Sequence, residues 1–573
     1  MEFEECTGGS DASSWVRQRF APDAASDERC HSKQAKGRCG LESHTSPRAA
    51  RQALASWLRA HLAPECQVRL VALALAASLA LALAAMLVIS RYDHSYADDW
   101  HYGVDVHLSL DAGRGVWGAL SAALGKTVET FDSWQGTYSA IMLMCLQPGV
   151  VSEDLYGWGA VLVIVALVVC TGYAASVLLR DVLGASRPCW IAFTSVALLL
   201  QTQLLPSPVE GFWWYNSAIY YTFYHALMLL MVGMAIRLLR GGNPRSALSP
   251  RAAVARWIAL TLLAVVVAGG NFVTALIVEL ALCGAAVWSI CRATPRRALI
   301  LITVLAFTIG FSISVFAPGN ALRQASQFPR DGMGVPSTLL KSALAGFEYA
   351  VMWTNGLLVV SLAALAPIMV RVARGSRLSF RLPGAAWGAS LIVFMASFAP
   401  TFFSMGDVGP GRVQNIRYDL FVLLVIVCTT WTVGRCVRYR EHRRGMVCGS
   451  LFAPGLFESA RVFAAWYGVV ALLAASSLVG MALDSRHVGD LTSLSAAEAL
   501  WSGRARAYDR QVRARLAAIG SSESETLEVA FYTVRPKVLF MGDIRDNMDN
   551  YINYRLSEWF GKSSIIGVRA PSG

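Results

Sequence analysis

Charge is scarce in this chain. Only 15% of the 573 residues are Asp, Glu, Lys or Arg, whereas a soluble domain carries about a quarter. That shortage argues against an ordinary soluble fold. Long apolar runs recur from end to end, which points to many membrane crossings. Other absences narrow the class further. There is no Gly-rich phosphate loop of the form GxxxxGK[ST], so an ATP-driven pump is not expected. There is no internal repeat. No apolar run precedes a cleavage site near the N-terminus, so no ordinary signal peptide is expected. Twelve cysteines occur, but none follows Asp484, and most of the others fall in spans or Arg-rich loops. A disulfide framework is therefore not expected.

The charge that is present has a pattern. The net charge of +12 comes from arginines gathered in short loops between apolar runs. That is the positive-inside pattern, and it calls for no nucleic-acid partner. Residues 1–66 are polar and without period, so a disordered cytoplasmic tail is expected. Its Cys30, His31, Cys39 and His44 do not have zinc-finger spacing. The first span is expected at 68–90, with Arg48, Arg51, Arg59 and Arg69 before it or at its start. A long outer segment follows at 91–155. In it, 104–124 has the spacing of a surface helix, and 139–146 is a short apolar piece. Further spans are expected at 156–179, 189–205, 217–239, 299–316, 351–370, 385–399, 416–434 and 463–483. The stretch 257–291 must cross twice, broken at Gly269-Gly270-Asn271. The total is about eleven. The expected fold is an all-α polytopic membrane protein, with the membrane domain at 67–483. Residues 484–573 are expected to form a small α+β domain outside, with helices at 495–519 and 551–560 and strands at 527–534 and 537–540.

This topology puts four loops on the outer face. The first carries Asp98, Asp99 and Trp100, and later Trp134 and Tyr138. The second carries Glu210 and Trp214. The third carries Asn320 and Arg323, and the fourth Arg412 and Asn415. Adjacent carboxylates after a span can be an ordinary solvated turn. Beside aromatic rings at a lipid surface, they also have the makings of a base that takes a proton from a hydroxyl. Basic residues are sparse on this side, so Arg323 and Arg412 stand out. They either snorkel to lipid head groups or clamp a lipid-linked phosphate with their forked donors. His225 and Glu279 lie inside spans, each roughly 12 Å below the outer surface. They either pair with each other or line a substrate cavity.

Five stretches in order carry a resemblance. They are Ala97-Asp98-Asp99-Trp100, Ser133 to Tyr138, Trp214 to Tyr221, Ala317 to Arg323, and a tail with Arg510 and Asn550 to Gly561. Together they resemble the GT-C superfamily of glycosyltransferases, and within it a bacterial family of multi-spanning proteins. The likeness covers roughly residues 70–565. One departure is Gly136-Thr137-Tyr138, where the family usually has an Arg between the Gly and the Tyr. The resemblance implies a GT-C-like fold and a polyprenyl-phosphate sugar as donor. It also implies transfer to an acceptor glycan or lipid on the outer face of the membrane. Asp98 or Asp99 would be the general base. Arg412 would be the first choice to stabilise the departing phosphate. Adjacent residues point in different directions, so only one Asp would reach the acceptor. The other would orient it or help hold a divalent cation. Two other classes compete. One is a transporter or flippase of lipid-linked saccharides, which the broken hairpin and the buried His225 and Glu279 favour. The other is a non-catalytic assembly protein of the cell envelope.

Overall fold

A computed structural model describes residues 64–240, 250–328, 333–442, 457, 459–483 and 491–569. The expected N-terminal tail up to residue 63, with Cys30, His31, Cys39 and His44, lies outside the described residues, as do 241–249 and 443–456. The chain enters with α1 (Pro64–Ile89), which has no charge after Arg69. Three helices follow at one end of the bundle: α2 (Asp98–Asp111), α3 (Gly115–Ser133) and α4 (Tyr138–Cys145). Next come α5 (Trp158–Ser176), α6 (Arg187–Gln203) and α7 (Tyr215–Arg240). They lead to α8 (Pro250–Ala268), α9 (Phe272–Cys291) and α10 (Arg297–Val315). Then α11 (Pro318–Gln327), α12 (Val335–Trp353) and α13 (Gly356–Gly375) precede α14 (Pro383–Met405), α15 (Gly411–His442) and α16 (Ala460–Leu483). The final segment holds α17 (Thr492–Trp501), α18 (Arg504–Ser521), β1 (Thr526–Ala530), α19 (Tyr551–Trp559) and β2 (Ser564–Val568).

Ten of these helices are long and apolar enough to cross a membrane: α1, α5, α7 to α10, and α13 to α16. Their outward faces carry exposed leucines such as Leu73, Leu81, Leu262, Leu305 and Leu472. A belt of that kind suits lipid, since large apolar patches on a soluble protein are rare. The eleventh expected span corresponds to α6, which has 17 residues. Contacts at both its neighbours' ends show that it still traverses the bundle. At one end, Tyr215 N–H donates to Tyr156 Oη at 2.9 Å. At the other, Arg237 Nε donates to Asp181 Oδ2 at 2.7 Å. So α5 and α7 run the same way, and α6 must bring the chain back between them. Seventeen residues of helix reach about 25 Å, enough for that return.

Several boundaries differ from expectation, each for a local reason. The surface helix expected at 104–124 is two helices, because Gly113 and Gly115 adopt φ of 70° and 62°, a region that suits glycine. The hairpin at 257–291 is two whole helices. α8 starts earlier because Arg251 and Arg256 belong to its first turns, where long cationic side chains reach back toward water. The break itself is a packing device. A Cβ on Gly269 would lie 2.4 Å from the Tyr138 ring, and one on Gly270 2.2 Å from the Tyr224 ring. Asn271 then caps α9, its Oδ1 accepting from Thr274 N–H at 2.8 Å. The span expected at 351–370 is shifted to α13, whose cap is Asn355, and α12 before it was not foreseen. In the tail, Gly503 at φ 74° splits the expected 495–519 helix into α17 and α18. Residues 537–540 are not a strand. The partner of β1 is β2, which pairs with it in parallel.

The tail is tied to the first loop by charge. His94 is buried beside Tyr92 at the end of α1. Its Nδ1 lies 3.0 Å from Glu153 Oε1 and its Nε2 3.0 Å from Asp509 Oδ1 on α18. Burial works against a charged imidazole, but the hydrogen bonds with Asp509 and Glu153 outweigh it and raise the His94 pKa above 6.5. Burial likewise pushes the Asp509 carboxyl up, but His94 and Arg513 outweigh it and leave it below 3.8. The signs follow. The His94 contribution is full below pH 6.5 and is lost as pH rises through its folded pKa. The Asp509 contribution is present above pH 3.8 and is lost on acidification below it. Amide hydrogen exchange in α18 of the protein in lipid should therefore quicken as pH rises above 6.5, beyond the intrinsic pH effect. In His94→Gln this extra dependence should vanish. Equal pH profiles for the two proteins would reject the latch.

Candidate functional site

One cavity of about 1290 Å³ opens at the end of the bundle where α2 to α4 and the tail gather. The four loops expected on one face do meet here. Asp98, Trp134, Trp214, Asn320, Arg323 and Arg412 all line it. At the opposite end of the bundle Arg237 meets Asp181. Arg438 likewise meets the backbone in the last turn of α13, at Ala373, and just after it, at Leu378.

The two adjacent aspartates part company. Both sit in the first turn of α2, about 100° apart around its axis. Asp98 faces the cavity, where its Oδ1 accepts from the Tyr551 hydroxyl at 2.8 Å. Asp99 is 0% exposed and faces the protein. Its Oδ2 accepts from the Tyr156 hydroxyl at 2.7 Å and from Tyr96 N–H at 2.9 Å. Its Oδ1 accepts from Asn216 N–H at 3.1 Å and from Asn216 Nδ2 at 2.7 Å. Burial pushes the Asp99 carboxyl up to about 7, and the donors from Tyr156, Tyr96 and Asn216 hold it from going further. Asp99 thus ties the first loop to α5 and to the start of α7. It is a joint of the fold and, unlike Asp98, is not among the residues that line the cavity. Nor does it share a metal with Asp98. Its two oxygens are taken, and among the described residues no group of three or more His, Cys, Asp or Glu side chains could hold a metal ion.

The remaining candidates divide the same way. Trp214 lines the cavity and anchors itself through Nε1, which donates to Tyr96 O at 3.1 Å. Asn320 lines it too, but its amide works as a clasp. Nδ2 donates to Ser314 O and Val315 O, both at 2.8 Å, and Oδ1 accepts from Gly136 N–H at 3.1 Å. That clasp explains two glycines. A Cβ on Gly136 would lie 2.0 Å from Ser314 O, and one on Gly319 2.4 Å from Trp134 N. Arg323 lies over the Trp134 ring at 5.0 Å, and its Nη1 donates to Gln135 Oε1 at 3.0 Å. Among the described residues no carboxylate pairs with it. Arg412 does have one. Its Nη1 lies 3.1 Å from Glu210 Oε1, and its guanidinium is 5.2 Å from the Trp214 ring centroid. Glu210 is therefore a partner of Arg412 and does not line the cavity.

Five other candidates are structural. Trp100 is 7% exposed in the core beside Tyr96. Tyr138 fills the gap between α8 and α10, with its hydroxyl donating to Val265 O at 2.8 Å. Asn415 holds the turn before Glu210, through Ser207 N–H at 2.8 Å and Ser207 O at 2.7 Å. His225 and Glu279 neither pair nor line the cavity. His225 Nε2 meets Gln201 Oε1 at 3.2 Å, and Glu279 Oε1 accepts from the Thr308 hydroxyl at 2.7 Å. Equal depth along two helices fixes no common side, so each found a polar partner on a third helix. The hairpin is whole and these two residues lie apart, with Glu279 Oε2 buried and without a hydrogen-bond partner among the described residues.

The sequence reasoning missed His101, Tyr102, Tyr551 and Arg555, all of which line the cavity. His101 was findable, being three residues after Asp98 and so on the same side of a helix. Burial first, then the charges of Arg555 and Lys126, hold its pKa down to about 3, so its ring is neutral near pH 7. Tyr551 and Arg555 come from the tail, more than four hundred residues away, and only folding brings them here.

The fold and site define a helical protein with ten candidate membrane spans among the described residues and a large cavity at one end, walled by Asp98, Glu129, arginines and aromatic rings. No family model, curated protein or solved structure matches the chain.

Proposed function

We propose that this protein is a membrane glycosyltransferase that moves a sugar from a polyprenyl-phosphate donor to an acceptor on the outer face of the cytoplasmic membrane. The observation that carries the reading is Asp98. It is a carboxylate on the wall of a cavity of about 1290 Å³, shared with Arg323 and Arg412, where the spans end. The apolar lining at Phe311, Val315, Leu339 and Phe403 suits a polyprenyl chain entering from the lipid, and the arginines suit its phosphate. Arg237 and Arg438 at the opposite end of the bundle agree with the cavity being outside.

In this reaction Asp98 accepts the proton of an acceptor hydroxyl. The oxygen forms its bond to the anomeric carbon as the bond from that carbon to the phosphate oxygen breaks. The electron pair leaves on the phosphate, which is a weak base and needs no general acid. Glu210 offsets part of the Arg412 charge, so the leaving-group role falls to Arg323 with Arg412 beside it. The test is the glycan composition of cells lacking the protein. One sugar should be missing from a surface glycan or lipid. The wild-type gene should restore it and the Asp98→Asn gene should not. An unchanged glycan profile would remove the enzyme reading.

A further inference from the structure

The tail helix α19 brings to the cavity mouth a set of groups that the transfer chemistry leaves unused. Tyr551 and Arg555 are one turn apart and both line the cavity. The Arg555 guanidinium lies 5.0 Å from the ring centroid of Tyr551 and 5.0 Å from that of Tyr554. Its Nη1 donates to Glu558 Oε2 at 2.9 Å, which fixes the plane of the fork. Its Nε is buried, with no hydrogen-bond partner among the described residues. Across the gap, the His101 ring centroid is 6.3 Å from that of Tyr551, and His101 Nδ1 is also buried without a partner. A buried polar atom left unpaired costs roughly 1–3 kcal/mol, so two around one opening ask for a ligand. Meanwhile Tyr551 and Tyr554 are 44% and 55% exposed.

We propose that Tyr551, Tyr554 and Arg555, with His101 facing them, form a saccharide platform that seats the acceptor glycan beside Asp98. The word acceptor rests on the transferase reading above; the saccharide site does not. A sugar ring has an apolar C–H face that lies on aromatic rings, and hydroxyls that both donate and accept. The platform offers the matching parts. Two tyrosine rings flank one guanidinium on the cavity wall, which donates, and the neutral His101 ring accepts or donates. Tyr551 also shows where a hydroxyl sits, because its own lies 2.8 Å from Asp98 Oδ1. Two other ligands fit less well. An acyl chain would have to cover the Arg555–Glu558 pair, which costs desolvation. A free anion would meet a cation already offset by Glu558. Tyr554 lies next to Arg555 but outside the cavity lining, so the platform continues outward from the reacting position and has room for more than one sugar.

The test uses the full chain in lipid nanodiscs, without donor. Saturation-transfer NMR reads contact with linear gluco-, manno-, galacto-, arabino-, rhamno- and N-acetylglucosamine series, from single sugars to short oligomers. At least one series should bind, with affinity rising with length. Tyr554→Ala should remove most of that rise, roughly five- to tenfold, and leave the single sugar's signal in place. Arg555→Gln should weaken every member of the series. Three results would overturn the platform: no series binds, binding ignores both substitutions, or inorganic phosphate or a short-chain phospholipid displaces the sugars. Because no transfer is measured, failure of the transferase reading leaves this result standing, and the reverse holds.

Discussion

Asp98→Asn should still bind a lipid-linked sugar and transfer it at least about a hundredfold more slowly. The substitution keeps shape and removes the base. Asn offers the same oxygen to the Tyr551 hydroxyl, which now donates to Asp98 Oδ1 at 2.8 Å, so α2 and α19 keep their contact. Asp98 is not bound to Arg323 or Arg412 in the structure. Those two carry the donor phosphate in the proposed reaction, so donor affinity should barely change. A loss in single-turnover rate with unchanged donor binding is the mark of an interaction made only in the transition state. Arg323→Ala should behave differently, lowering both affinity and rate, because a phosphate contact exists in the ground state and strengthens as charge develops. Arg323→Lys should recover only part, having lost the fork. The measurements are donor binding and single-turnover transfer by the purified protein in lipid. Wild-type transfer by Asp98→Asn would leave the cavity without its base and the mechanism without support.

The sequence made one class of feature legible and hid another. Arginine clusters and apolar runs located the spans, because charge at a helix end and length across lipid are local properties. The convergence of Asp98, Trp214, Asn320, Arg323 and Arg412 was legible for the same reason, since topology alone puts their loops at one end. Which way a side chain turns within that end is a tertiary fact. Nothing local tells Asp98 from Asp99. The difference is that Asn216 and Tyr156 stand on one side of α2 and Tyr551 on the other. The pairing of Arg412 with Glu210 spans two loops in the same way. His225 and Glu279 show the limit most directly: position along a helix is legible in the sequence, and azimuth is not. The tail was read as a separate domain because its composition is polar, yet α19 supplies part of the cavity wall. A helix start is hidden where an arginine lies inside the first turn, as at Arg251, because the same charge also marks the edge of a span.

Asp99 should matter more for folding than any other carboxylate at this end of the bundle. Its side chain ends two loops at once, holding Tyr96 and Asn216 by their backbone N–H groups and Tyr156 by its hydroxyl. Asp99→Ala would strand those donors in a buried site, at roughly 1–3 kcal/mol each and less than additively. A loss on the order of 4 kcal/mol is expected, enough to leave little folded protein. Asp99→Asn is the more informative variant. It retains one acceptor oxygen but turns an amide N–H toward groups that themselves donate, so it should be destabilised less than Ala and still fold. Its difference from wild type should also depend on pH, because only the wild type titrates at this position. Burial raises the Asp99 carboxyl from 3.8 to about 7. A folded pKa above the unfolded one means that the group's contribution is full below pH 3.8 and is lost as pH rises through 7. The stability margin of wild type over Asp99→Asn should therefore shrink between about pH 5 and 8, and flatten above that. Thermal unfolding of the two proteins in lipid at pH 5, 6.5 and 8 would show it. A margin that is constant, or that grows with pH, would mean that the carboxylate is ionised in the fold, with its four donors outweighing its burial.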